Sequence, residues 1–291
     1  MRVGLVGLGR MGSALAPHLV RGCRSVTVWN RSAEKCKSAV SMGAHAAQSP
    51  AEVVESSDVV LSILFDDAAV NEVYLAEDGL LARLCAGRIF VEMSTIMPGT
   101  VRRIAQIAGA RGASLVDAPL SGTIGPARQG KLLVLAGGET ADVERVTPVL
   151  SLFARKIVHM GPIGAGTTMK LALQLPLYLY WQALGEALSI GKASGLATAD
   201  MLALIADSPA AIGMLPAKVP VLLGQDNETA FALSAALKDL TLIKNAGLNL
   251  GVPVPCTTAA VETYGAATQQ GWGERDVARL ASFIIGKATS E

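Results

Sequence analysis

Short apolar runs alternate with helical periodicity through the first half of the chain, and only helical periodicity remains in the second. Residues 1–6 read as an apolar strand that runs into a glycine-rich turn, and residues 13–20 repeat apolar positions at helical spacing. A strand over 25–29 follows, then a helix over 33–42, a short segment near His45, a helix from Ala51 and a buried-type strand over 58–64. The alternation continues with a helix from Asp67, a strand over 88–93, a helix over 99–110, a strand over 114–117, a loop, a strand over 131–136, a helix over 141–153 and a strand over 156–160. Repeated strand–helix units with apolar strands predict an α/β fold, a doubly wound Rossmann sheet. Beyond it the pattern predicts helices over 198–207, 210–218, 233–250, 256–270 and 274–286. The domain division is therefore 1–161 for the sheet domain, 162–193 for a connecting helix and 194–291 for an all-helical domain.

The connecting stretch opens on Gly161, Gly164 and Gly166 and carries Lys170 as its one charge before Glu186. At four-residue spacing Lys170, Gln174 and Tyr178 share a face with Trp181 a turn later, a polar-tipped stripe suited to a cleft wall. A membrane span needs about 20 mostly apolar residues. Gln174, Pro176 and Gln182 interrupt this run, so it reads as a helix covered by protein. Taken alone, Lys170 equally suits a first-turn lysine reaching out to solvent.

Composition narrows the partners. The 291 residues are 51% hydrophobic with a net charge of +1, enough for a large core and without a basic run for nucleic acid or an anionic membrane. Small molecules and copies of the same chain are the expected partners. Cys23, Cys36, Cys85 and Cys256 lie far apart with no metal-ligand spacing, and His18, His45 and His159 are isolated. The expectation is a cytoplasmic protein with reduced thiols and no metal.

Candidate chemistry starts at Gly7-Leu8-Gly9-Arg10-Met11-Gly12, between a strand and a helix. The glycines permit the tight turn and close approach of the backbone to a pyrophosphate, and the helix N-terminus stabilises its charge. At the end of the second strand, Asn30-Arg31-Ser32 offers no acid for ribose hydroxyls, while Arg31 suits a 2′-phosphate. NADP(H) is therefore favoured over NAD. Ligands of such sheets sit at the carboxyl ends of strands, which selects Leu64, Phe65, Asp66, Ser94 and Thr95; Asp66 and Thr95 equally suit helix caps. The loop after Asp117, with Ser121, Gly122 and Thr123, offers backbone N–H groups that could cradle a carboxylate.

The N-terminal glycine motif, Asp117-Ala-Pro-Leu-Ser-Gly122, Gly164-Ala-Gly-Thr-Thr-Met-Lys170 and Lys238-Asp239-Leu240 stand in order over essentially the whole chain. The sequence resembles the β-hydroxyacid dehydrogenase family, and residues 27–36 look most like its NADP-dependent glyoxylate/succinic semialdehyde reductase branch and the related imine reductases. The resemblance implies hydride transfer between NADPH and a small aldehyde or keto acid, with Lys170 as general acid/base. It implies that Ser121 and Gly122 hold the substrate carboxylate, and that Lys238 and Phe231 lie at the cofactor and substrate cleft. Two departures stand out: Leu173 and Gln174 replace two asparagines, and Thr123 replaces a glycine.

The alternatives are an imine reductase, into whose apolar pocket Tyr178, Tyr180 and Trp181 would project, and a non-catalytic nucleotide-binding scaffold. Retained Lys170 counts against the imine reading and Gln174 counts for it. The greasy helical half and the resemblance imply a homodimer or homotetramer.

Overall fold

The computed structural model describes residues 1–83 and 85–287. The chain divides into two compact units, Met1–Lys170 and the remainder from Leu171. In the first unit, strands β1 (Arg2–Val6), β2 (Ser25–Trp29), β3 (His45–Ala46), β4 (Val59–Ser62), β5 (Ile89–Glu92) and β6 (Ser114–Asp117) stand in the order β3-β2-β1-β4-β5-β6, all parallel. This is the strand order of a dinucleotide-binding sheet, with its switch point beside β1. The sheet continues through β8 (Leu132–Gly137), antiparallel to β6, which carries β7 (Leu120–Ser121) antiparallel and β9 (Ala154–Gly161) parallel.

Period-two alternation sends successive residues to opposite faces, and two separate cores show it. Val59, Leu61, Ile89 and Val91 pack on one face with Leu15 and Leu19 of the helix Arg10–Gly22 and with Val146 and Leu150 of the helix Thr140–Leu150. Val60 and Phe90 pack on the other with Tyr74, Val101 and Ile104. Because both faces are covered, every residue of β4 and β5 is buried, which is why these strands are apolar up to their last residues, Ser62 and Glu92.

The helix Ala165–Ala193 starts in the first unit and runs into the second, which adds the helices Thr198–Ala206, Leu215–Leu222, Leu233–Leu250, Pro255–Ala267 and Arg279–Lys287. Tyr178, Trp181, Leu184, Leu240, Tyr264 and Leu280 are buried there. Among the described residues no helix is long and apolar enough to cross a membrane.

Several elements differ from the pattern reading. The helix expected over 210–218 lies at Leu215–Leu222, because Pro216 fits a first turn and the Ser208 hydroxyl accepts from the Ala210 N–H in a preceding turn. The helix expected from Glu274 starts at Arg279, since Asp276 ties down the preceding loop. The short β7 and the helix Ile124–Arg128 lie in the stretch expected to be loop.

Candidate active site

The turn after β1 follows from its glycines. Gly7 has φ +95°, and a Cβ there or at Gly12 would overlap the Ile63 or Gly7 carbonyl oxygen. The Gly7 N–H donates to Trp29 O at 3.0 Å and the Leu8 N–H donates to Asn30 Oδ1 at 2.9 Å, so the ends of β1 and β2 are held as one rim. A Cβ at Gly9 would meet open space, and the helix Arg10–Gly22 begins directly after it. A groove of about 370 Å³ opens along this rim. Of the candidate cofactor residues, Gly7, Gly9, Asn30, Arg31, Ser32, Leu64 and Phe65 line it; Lys35 and Glu72 line it too and were not among the candidates. Arg31 and Glu72 stand 3.8 Å apart, both mostly exposed.

The other candidates sit behind or beside the groove. Leu8 is buried and Met11 packs on the core. Arg10 lines a separate recess on the helix. Asp66 caps the helix Asp67–Leu75, its Oδ1 accepting from the Ala69 N–H at 2.8 Å. Thr95 is not the N-cap residue of the following helix: the helix Pro98–Ala110 follows Met97, whose N–H donates to the Asp67 carboxylate. Ser94 is buried, and its Oγ accepts the Leu64 N–H at 2.7 Å, which fixes one wall of the groove.

Behind Ser94 lies buried Glu92, which the sequence reading passed over. Its Oε1 accepts the Ser94 N–H at 2.7 Å and its Oε2 the Ser62 hydroxyl at 2.6 Å, while Ser62 Oγ and Tyr74 Oη lie 2.7 Å apart. Burial pushes the Glu92 carboxyl above the usual carboxylate range, against the pull of these donors.

Asp117, the last residue of β6, clamps the start of the helix that carries Lys170. Its Oδ1 accepts the Gly164 N–H at 2.7 Å, and its Oδ2 accepts the Thr167 N–H at 2.6 Å and the Thr167 hydroxyl at 2.8 Å. A buried carboxylate thus satisfies donors that a helix N-terminus leaves open. Burial raises the Asp117 carboxyl above its ordinary range, with these three bonds opposing the rise. Lys170 is 7% exposed, one turn after Thr167. Half-buried Ser121 ends β7, Gly122 follows with φ +133°, and Thr123 precedes the helix Ile124–Arg128 without capping it through its side chain.

In the second unit Gln174, Tyr178 and Lys238 gather around Asp239, and Phe231 lies against Tyr178. Tyr178 donates to Asp239 Oδ2 at 2.6 Å, and Gln174 Nε2 donates to the same oxygen at 2.9 Å and to Tyr178 Oη at 2.6 Å. Lys238 Nζ stands 2.8 Å from Asp239 Oδ1. The Tyr178 ring stacks on Phe231 with centroids 6.1 Å apart, and Tyr264 donates to the Tyr178 carbonyl at 3.0 Å. Burial and the Asp239 charge push the Tyr178 phenol well above its ordinary value. Both amide protons of Gln174 are therefore engaged, and its buried Oε1 has no hydrogen-bond partner among the described residues. Tyr178 and Trp181 are enclosed, at 1% and 0% exposure, so they do not project as cleft-wall side chains; helical spacing showed a shared face but not what covers it. Asp239 stood in a quoted motif without a role, and its bonds to residues 61 and 65 positions away explain why no local signal exposed it.

Comparison with known proteins agrees with this geometry. The profile of the NAD-binding domain of 6-phosphogluconate dehydrogenase matches residues 2–161, and that of the NAD-binding domain of NADP-dependent 3-hydroxyisobutyrate dehydrogenase matches residues 164–284. The chain is 31% identical to glyoxylate/succinic semialdehyde reductase 1 of Arabidopsis thaliana, over 98% of both chains. It is 29% identical to the cytokine-like nuclear factor N-PAC of Xenopus tropicalis, spanning 98% of this chain and about half (53%) of that protein. The solved 3-hydroxyisobutyrate dehydrogenase of Mycobacterium tuberculosis with L-serine superposes with a TM-score of 0.88 at 25% identity, covering 97% of this chain and 98% of that one. With a nucleotide-binding sheet, a lysine-bearing helix clamped at its start and matches across both units, the chain belongs to the β-hydroxyacid dehydrogenase family of NAD(P)-dependent oxidoreductases.

Proposed function

We propose that the protein is an NADPH-dependent reductase of small aldehyde or keto acids, with Lys170 as its general acid. The observation that carries this reading is a buried lysine at the start of a helix held by the Asp117 clamp. The groove residues fit a dinucleotide: Gly9 leaves open space where a pyrophosphate approaches, and Arg31, Ser32 and Lys35 line the rim at the end of β2. Guanidinium and ammonium groups there favour a ribose 2′-phosphate. The exposed Arg31–Glu72 pair is worth about 1 kcal/mol or less and competes weakly.

Bound NADPH supplies the hydride. As the carbonyl oxygen gains negative charge, the Lys170 ammonium stabilises it and donates a proton; in the reverse direction the amine accepts the proton of a hydroxyl. The Gly122 N–H and the Ser121 hydroxyl hold the substrate carboxylate. Asp239 orients Lys238 and fixes the Gln174 amide. NADPH oxidation with succinic semialdehyde and glyoxylate, in native protein and in Lys170→Ala, tests this reading. An unchanged rate in a folded Lys170→Ala variant favours the structural-lysine reading.

One observation favours a second reading, an imine reductase on the same fold. Gln174 offers a buried acceptor with no donor, and a protonated C=N bond carries such a donor where a carbonyl does not. A cyclic imine in the same assay separates the two.

We also propose a cytoplasmic homodimer or homotetramer. Exposed Ile190, Leu196, Leu204, Leu248, Leu250 and Val252 in the second unit give a second copy apolar surface to cover, and four unpaired cysteines accord with a reducing compartment. A light-scattering mass of one chain at micromolar concentration contradicts the assembly.

A further inference from the structure

We infer that the recess beside the helices Arg10–Gly22 and Ile124–Arg128 is a binding site for a small phosphorylated anion, separate from the dinucleotide groove. The recess encloses about 410 Å³ and is lined by Arg10, Arg21 and Arg128 with Ser13, His18 and Ser38, and by no carboxylate. Elsewhere on this unit Arg2, Arg31, Arg83 and Arg145 each lie within ion-pair distance of an acid. Among the described residues Arg21 and Arg128 have no such partner. Arg24, Arg88, Arg102, Arg111 and Arg155 lack one too, so what sets the recess apart is convergence: three arginines line one concavity with no carboxylate, a site of concentrated positive potential.

The frame of the recess is built. His18 Nε2–H donates to the carbonyls of Ala127 and Arg128 at 3.0 and 3.1 Å, which ties the end of one helix to the flank of the other. The backbone that carries Arg128 is therefore fixed relative to Arg10 and Arg21. Those two residues are eleven positions apart, three helical turns or about 16 Å, and so lie on one face. Charges spaced along a face suit an elongated anion with more than one charged group, because guanidinium binds each phosphate bidentately. The volume falls in the range of small-molecule sites, about 300–1,000 Å³. A net charge of +1 and a recess of this size do not suit a long polyanion. The ligand class is a diphosphate or a phosphorylated acid of metabolite size.

Pyrophosphate titrated by calorimetry at low ionic strength, into protein already saturated with NADP+ or NAD+, tests the site without involving the dinucleotide groove or the substrate reading. The expected result is one saturable event per chain with Kd below about 1 mM. In the double variant R21Q/R128Q it weakens by about tenfold or more while dinucleotide affinity stays within about twofold. Both positions are exposed, so folding is retained, and the melting temperature checks it. If the double variant melts well below native, Arg21→Gln and Arg128→Gln are read singly, each expected to weaken binding about threefold. Absence of saturable binding to the dinucleotide-loaded protein overturns the inference. So does weakening by Arg31→Gln in place of the recess variants, which assigns the event to the groove.

Discussion

The Asp117 clamp yields the sharpest stability prediction. Asp117→Asn keeps one oxygen, which can still accept from the Thr167 N–H and hydroxyl, but sets an amide NH2 against the Gly164 N–H, now 2.7 Å from Oδ1. One buried donor left without an acceptor costs about 1–3 kcal/mol. Losing a negative charge at a helix N-terminus costs about 0.5–1 kcal/mol more. Relief of the desolvation that raises the Asp117 carboxyl offsets part of this, so the expected loss is about 2 kcal/mol. Asp117→Ala orphans three donors and is expected to cost about 4 kcal/mol. Urea unfolding followed by far-UV circular dichroism measures both, and hydrogen exchange at the Gly164 and Thr167 amides locates the loss. A change under about 0.5 kcal/mol in Asp117→Asn, with those amides still protected, refutes the clamp.

The remaining predictions concern the cofactor, the acid limb of stability and the second unit. Arg31→Ala is expected to raise the KM for NADPH about tenfold while leaving that for NADH within about twofold, since only the former carries the 2′-phosphate; equal effects on both argue against that role. Asp58, held down to about 2 by the Arg2 fork, contributes stability that is present above its ordinary value of 3.8 and lost as pH falls towards 2. Because the pair is 42% exposed, the Asp58→Asn loss at pH 7 is expected to be only about 1 kcal/mol and to vanish near pH 2; a loss that grows on acidification contradicts the sign. Asp239→Ala frees the buried Tyr178 and Gln174 donors, removes an ion-pair partner of half-buried Lys238, and is expected to cost about 3 kcal/mol and to lower kcat, measured by melting and by NADPH oxidation.

What the sequence disclosed follows from how local each signal is. The glycine turn between β1 and its helix is legible because Gly7 and Gly12 answer a conformation and a contact within twelve residues. Both-faced burial of β4 and β5 leaves apolar runs at 59–61 and 89–91, so those strands show as well. Asp117 shows as a strand end and as the start of a motif but not as a clamp, because its partners lie 47 and 50 residues away. Lys35 was open to detection, being four residues after Arg31 and on the same rim. Helix boundaries after Ser208 shifted because leucine- and alanine-rich segments keep helical periodicity through their turns, leaving Pro216 as the clearest marker of where a helix starts. Two-residue strands such as β7 carry no periodicity to read.

The central claim is proton transfer by Lys170, and stopped-flow NADPH oxidation in native protein and Lys170→Ala, with dinucleotide affinity measured in parallel, tests it most directly. The account predicts that the variant binds NADPH normally and loses about 10²–10⁴-fold in kcat on succinic semialdehyde or glyoxylate. A variant that turns over within a few-fold of native contradicts it and makes the lysine a structural residue of its helix.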